Sequence, residues 1–163
     1  MQFIICTAGL PSHRWVRLSS NVRQHRHRPR MFSHIFVSVT DFNRAFVFYS
    51  EVMRVLGLEL RFHDPSRPWA GWHSEGKTRP YFVICHPYDG QAHEAGNGQM
   101  VAFASDSRAK VNAAHAAAIA AGGSNEGAPG LRPHYHEHYY GAYFRDPDGN
   151  KFCVACHAPA QEA

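Results

Sequence analysis

The stretch Gly141-Ala-Tyr-Phe-Arg-Asp-Pro-Asp-Gly-Asn-Lys-Phe-Cys-Val-Ala-Cys156 contains the clearest structural signal in this chain. Two short apolar runs flank a turn sequence, Asp146–Asn150. Pro147 fixes φ for a turn, and Gly149 or Asn150 can supply a positive φ. The stretch therefore predicts a hairpin between strands at about 139–145 and 150–157.

Working back from the hairpin, the same order of elements occurs twice. In the first copy, His34–Val39 alternates as a half-buried strand does. Asp41 can cap the helix that follows, and Gly57 can end it. Three short strands are then expected at about 58–63, 69–75 and 80–86. Apolar residues of the helix recur at three- and four-residue spacing, which predicts one buried stripe: Phe42, Ala45, Phe46, Tyr49, Val52, Met53 and Leu56.

The second copy begins after a glycine- and proline-containing linker at 87–98. Residues 100–105 predict a strand, and Asp106 or Ser107 can cap an alanine-rich helix over about 108–121. Two glycines, 122 and 123, end that helix. A weak strand is expected near 124–127, followed by a loop through Pro129 and Pro133 that leads into the hairpin.

The hairpin turn and the strand–cap–helix opening at His34–Asp41 resemble the vicinal oxygen chelate superfamily. That superfamily contains glyoxalase I, the bleomycin and fosfomycin resistance proteins and the extradiol dioxygenases. The resemblance covers about residues 32–157 and implies an α+β fold, with two βαβββ modules forming a curved mixed sheet around a central pocket. A single such repeat cannot bury its own sheet. We expect a glyoxalase-like domain over 31–160, with modules at 31–88 and 98–158.

Composition restricts the partners of this domain. Hydrophobic residues make up 44% of the 163 residues, which is enough for a globular interior. No stretch approaches the roughly 18 consecutive apolar residues of a membrane helix. Six of the 17 basic residues lie in residues 1–30, so the remainder has 11 basic residues against all 13 acidic ones. We therefore expect a small-molecule ligand or substrate, and neither nucleic acid nor membrane as a partner.

Residues 1–30 read differently from the rest, with six arginines and no acidic residue. We expect a disordered basic extension, or translation from a start upstream of the native one, for which Met31 is a natural candidate. A mitochondrial presequence and a basic tail for polyanions are the alternatives. Cys153 and Cys156 are separated by two residues, but on a strand they point to opposite faces, so neither a local disulfide nor a zinc knuckle is expected. The four cysteines therefore predict reduced thiols and a cytoplasmic protein. A presequence would make it mitochondrial instead.

Strand alternation assigns side chains to the two faces of each sheet. His34, Phe36, Met100 and Cys153 are expected to share the face toward the pocket, away from the helices. The resemblance implies metal ligands at positions 34, 100 and 153 and in the fourth strand. Of these, His34 is of the usual type, while Met100 replaces a histidine and Cys153 a glutamate. The fourth-strand position falls at Ile84 or, with a shift of one residue, at Cys85.

Two interpretations of this ligand set stay open. His34 and Cys153, with Cys85 if it points inward, predict a site for a divalent metal such as Zn, Fe, Mn or Ni. Hard cations prefer oxygen and imidazole donors, so the alternative is a pocket without metal. In either case His34 is the candidate catalytic residue, as a ligand or as a general base.

A histidine- and tyrosine-rich run, Leu131–Tyr140, precedes the last hairpin. Its three alternating histidines, 134, 136 and 138, would share one face if extended and could chelate a metal, or they could face solvent in a loop. The run is expected to cover the mouth of the pocket. Arg132, His136 and Tyr140 are the candidates for binding an anionic or oxygen-rich ligand. Phe36 and Met100 are the candidate apolar contacts.

Two functions follow from the resemblance. One is a glyoxalase-like lyase, isomerase or dioxygenase with a degenerate metal site. The alternative is a metal-free protein that binds or sequesters a small molecule, as bleomycin resistance proteins do. Either form could be a homodimer.

Trp69 and Trp72 are expected on opposite faces of the third strand, so that at most one of them contacts a ligand.

Overall fold

The computed structural model describes residues 31–160. The predicted basic extension at 1–30 lies outside these described residues. Within them, neither helix is long and apolar enough to cross a membrane.

Ten elements follow one another along the chain. The first module contains β1 (His34–Ser38), α1 (Phe42–Leu56), β2 (Leu58–Asp64), β3 (Trp69–Ser74) and β4 (Tyr81–Cys85). The second contains β5 (Val101–Ser105), α2 (Arg108–Ala120), β6 (Ser124–Leu131), β7 (Tyr140–Arg145) and β8 (Lys151–Cys156). The predicted α+β class with two βαβββ modules is confirmed.

The strands form two four-stranded mixed sheets, one in each module. Their orders are β1-β4-β3-β2 and β5-β8-β7-β6. The pairs β1–β4 and β5–β8 are parallel, and the other neighbours are antiparallel. β1 and β5 each lie at the edge of their sheet, so one side of each strand has no strand partner within the described chain.

The sixth strand is longer than the sequence predicted. It continues past the expected end near residue 127 to Leu131, which pairs with Tyr140. The register shifts between Gly127 and Gly130, and Pro129 lies within this shift. Because a proline lacks the N–H that a regular ladder needs, an edge strand with such an irregularity can accommodate it.

Local signals in the sequence locate the helix ends. The Asp41 side chain accepts a hydrogen bond from the Arg44 backbone N–H at 3.0 Å. Gly57 ends α1 with φ of 73°, a left-handed conformation that favours glycine. Ser107, one of the two predicted caps, accepts a hydrogen bond from the Lys110 backbone N–H at 3.3 Å.

The helix-facing sides of both sheets share one hydrophobic core. Phe48 of α1 packs against Phe144 of the second module, with ring centroids 6.2 Å apart. Phe152 of β8 contacts Tyr49 of α1 at 5.6 Å and Phe82 of β4 at 5.9 Å. The predicted apolar stripe did not include Phe48. Its burial depends on this contact between modules, which the spacing of residues within α1 does not show.

The hairpin turn that first indicated the fold also joins the two modules. Tyr49 donates a hydrogen bond to Asp146 at 2.5 Å. The Arg44 guanidinium contacts Asp148 at 3.0 Å, and the Asn150 side-chain amide donates to the Ser38 carbonyl oxygen at 3.0 Å. The turn therefore holds the second module against α1 and β1 of the first.

Candidate functional site

The face of each sheet turned away from the shared core is called its outer face here. On β8, Phe152, Val154 and Cys156 belong to the core, as strand alternation predicted. Cys153 is fully buried but lies on the outer face, where the Tyr139 hydroxyl is 3.5 Å from its sulfur. Tyr143 pairs directly with Cys153 across β7 and β8. Tyr139, Tyr143 and Cys153 are referred to below as the phenol–thiol cluster.

Glycines make room for the two phenol rings. A Cβ atom at Gly141 would lie 2.8 Å from the Tyr139 ring, and one at Gly127 would lie 2.9 Å from the Tyr143 ring. Real Cβ atoms do not approach other atoms so closely, so both rings occupy space that only glycine leaves free. The rings therefore lie close against the backbone of the second sheet.

All three groups of the cluster favour their protonated forms. Burial raises the pKa of Tyr139 well above its usual range, and hydrogen bonding to Cys153 and Tyr143 adds to this. Burial also raises the pKa of Tyr143. The pKa of Cys153 is raised by burial despite its hydrogen bonds with the two tyrosines and the nearby charge of Arg132. The cluster is therefore uncharged near neutral pH.

The segment 132–139 covers one side of this cluster. The Arg132 guanidinium lies 5.6 Å from the centre of the Tyr143 ring and donates to the Ala128 carbonyl oxygen at 2.8 Å. The His136 ring is stacked on that of His157, with Nε2 of the first 2.9 Å from Nδ1 of the second. The Tyr139 ring packs edge-on against both imidazoles. Arg132 and His136 thus lie beside the cluster, and their ligand contacts remain a prediction.

Tyr140, the third residue predicted to bind the ligand, lies on the other side of the sheet. It pairs with the core residue Cys156, and its hydroxyl donates to the Asn112 side chain of α2 at 2.9 Å. Its neighbour Tyr139 takes the outer-face position instead. Strand alternation that places Tyr143 opposite Cys153 on the outer face also places position 139 on that face and position 140 on the core side, so the pattern could have identified Tyr139.

The three alternating histidines do not converge, because the segment turns and is not extended. The His134 ring packs on Tyr135 with centroids 4.3 Å apart. The His138 ring contacts the Glu137 carboxylate at 3.0 Å. Only His136 points toward the second module's outer face, through its contact with His157.

The outer face of the first module carries a separate cavity of about 550 Å³. Phe36, which is 51% exposed, lines it together with Trp69 and Cys85. Ile84 is buried in the core. Of the two candidate ligand positions in the fourth strand, Ile84 and Cys85, it is therefore Cys85 that faces outward. Trp72 also belongs to the core, and the two tryptophans lie on opposite faces as predicted.

Met100 lies just before β5 and is 45% exposed. It lines another cavity, of about 630 Å³, between the two modules. This cavity is largely apolar and includes Phe82 and Phe103. His34 is exposed at the edge of the first sheet, where its ring nitrogen lies 3.3 Å from the Ser33 hydroxyl.

These positions do not assemble the metal site that the resemblance implies. His34 belongs to the first sheet and Cys153 to the second, and no strand of one sheet pairs with a strand of the other. Metal binding requires thiolates, whereas burial raises the pKa of both Cys153 and Cys85. Within residues 31–160, no group of three or more His, Cys, Asp or Glu side chains is arranged to hold a metal ion. Among the described residues, the donors His34, Cys85 and Cys153 therefore do not fit a divalent metal.

Comparisons with known proteins agree on one family. The Glyoxalase/Bleomycin resistance protein/Dioxygenase superfamily model matches residues 31–154. A glyoxalase/bleomycin resistance protein from Albidiferax ferrireducens T118 is 37% identical, with a TM-score of 0.70, over 78% of this chain and 99% of that chain. A lactoylglutathione lyase from Agrobacterium tumefaciens is 22% identical, with a TM-score of 0.54, over 78% of this chain and 94% of that chain, and shows the fold alone. No curated protein matches this chain.

Proposed function

Because the chain belongs to the glyoxalase/bleomycin resistance protein/dioxygenase superfamily, we propose that it binds a small organic molecule without a bound metal. The site is the outer face of the second module. The observation that carries this proposal is the grouping of Arg132, His136 and Tyr139 around the uncharged Cys153. A small number of converging polar groups is typical of ligand sites.

Each group has a distinct role in this proposal. Arg132 supplies the positive charge for an anionic or oxygen-rich ligand, since a guanidinium can form paired hydrogen bonds with a carboxylate. His136 contributes a directional polar contact. Phe36 and Met100 are apolar contacts that a second copy of the chain would contribute.

The enzymatic alternative is a lyase, isomerase or dioxygenase with His34 as ligand or base. The Agrobacterium relative is a lyase, but at 22% identity it supports the fold and not the activity. The poor fit of His34, Cys85 and Cys153 to a metal favours binding over metal-assisted chemistry.

The metal-free proposal predicts that untagged protein incubated with Zn²⁺ and then dialysed retains less than one metal ion per chain. The His34→Ala variant should give the same value in elemental analysis. The fluorescent aromatic anion 8-anilinonaphthalene-1-sulfonate should bind equally well with and without EDTA. Arg132→Ala should weaken this binding about tenfold, or about 1.4 kcal/mol. Arg61→Ala, which removes an exposed arginine from the first module, serves as the control. One metal ion per chain that disappears in His34→Ala would contradict the proposal.

We also propose that the protein is a homodimer built on its open strand edges. β1 and β5 expose edges that can pair with another chain, and the exposed Phe36 and Met100 lie beside them. Light scattering at tens of micromolar should give the mass of two chains. Phe36→Glu should yield monomers, whereas Val47→Glu, at an exposed position of α1, should not. A monomeric unmodified protein would refute the dimer.

A further inference from the structure

The uncharged phenol–thiol cluster contains Cys153, and at this position the resemblance implies a carboxylate that binds a metal. In place of that negative charge, this chain has a buried thiol with the two phenol rings of Tyr139 and Tyr143 against it. The formal charge that acts on Cys153 is the positive charge of the Arg132 guanidinium. A cluster of hydroxyl donors beside a cation is suited to an anion and not to a metal.

We propose that the Tyr139 and Tyr143 hydroxyls directly bind a negatively charged oxygen of the ligand, the role that a metal would otherwise have. The ligand class is an organic carboxylate attached to an apolar body. This inference rests on the proposed function and specifies its chemistry. When the ligand binds, the Tyr139 hydrogen turns from Cys153 and Tyr143 to the ligand, and the Cys153 thiol can then donate weakly to the Tyr139 oxygen.

The surroundings of the cluster favour this arrangement. The titratable or charged groups that face the two phenols are Cys153 from β8, Tyr135, Arg132 and His136 from the covering segment, and His157 after β8. Farther along the same sheet, Arg145 and Lys151 are paired with Glu126 and so do not compete for the anion. Glu137, the carboxylate of the covering segment, is paired with His138.

The state of the phenols predicts how binding depends on pH. Burial raises the pKa of both Tyr139 and Tyr143, so each keeps its proton above the usual tyrosine range. A carboxylate ligand is already charged above pH 5. Affinity should therefore stay level between pH 6.5 and 9.5. A site that relied on a protonated histidine would instead lose affinity as the pH rises through about 6 to 8.

The test compares benzoate with its neutral analogue benzamide by isothermal titration calorimetry on full-length protein in EDTA. We expect benzoate to bind more tightly. Tyr139→Phe and Tyr143→Phe should each weaken benzoate binding by about 10-fold or more, because each removes a hydrogen bond to a charged group. Benzamide binding should change much less. Tyr140→Phe, which removes a hydroxyl on the other side of the sheet, is the matched control and should leave benzoate binding unchanged.

Several results would overturn the inference. These are equal affinity for benzoate and benzamide, an equal loss of both in the tyrosine variants, or the same loss in Tyr140→Phe. The pH profile of the unmodified protein tests the idea even if a variant fails to fold, and a steep fall between pH 6.5 and 8 would also refute it. If benzoate fails to bind while the fluorescent anion binds through Arg132, the inference fails and the proposed function stands.

Discussion

Replacing Asp146 with alanine is expected to lower the free energy of unfolding by about 3–5 kcal/mol. The carboxylate is 3% exposed and accepts hydrogen bonds from Tyr49, from the Asn150 side chain and from the backbone N–H groups of Asp148 and Asn150. Each buried donor that loses its acceptor costs about 1–3 kcal/mol, and these costs are not additive. The bond from Tyr49 also joins the two modules, so we expect both modules to unfold together.

Urea denaturation followed by circular dichroism measures this effect. Asp106→Ala is the control, because that carboxylate is exposed and its ion pair with Lys110 lies on the surface. We expect no measurable change for the control. If Asp146→Ala is as stable as the control, the turn does not hold the modules together.

The second large effect is expected for Phe152→Ala, which should destabilise the protein by about 3–5 kcal/mol. Phe152 is fully buried in β8 and contacts aromatic rings of both modules. Tyr49 and Phe82 lie edge-on to its ring at 5.6 and 5.9 Å, and Phe103 and Phe144 are stacked with it at 5.9 and 5.8 Å. Removing the ring leaves a cavity where the two modules meet, and these neighbours cannot all move in to fill it.

Val47→Ala provides the comparison for Phe152→Ala. Val47 is an apolar residue of α1 that is 64% exposed, so its truncation should change stability by less than about 0.5 kcal/mol. Chemical denaturation of both variants gives the difference directly. A loss of under about 1 kcal/mol for Phe152→Ala would mean that the shared core contributes little to the stability of the chain.

The candidate site was only partly predictable from the sequence. Alternation correctly assigned Cys153 to the face opposite Phe152 and Val154, and the run before the last hairpin did lie beside it. Alternation counted back from Tyr143 would also have separated Tyr139 from Tyr140, which pairs with the core residue Cys156. The contact of the Tyr139 hydroxyl with Cys153 became visible only in the folded chain, because Tyr139 lies before β7 in a segment that turns.

The sequence by itself determined the local elements. Alternation, caps and turn residues act over a few neighbours, so the strands, the ends of α1 and the hairpin at Asp146–Asn150 could be predicted without a structure. Tertiary structure alone decided how the two modules meet. Contacts such as that of Phe48 with Phe144 direct the helix-facing sides into one core, and His34 and Cys153 then lie on different sheets. The physical reason is that such packing joins residues about a hundred positions apart, and no local pattern encodes which faces will be joined.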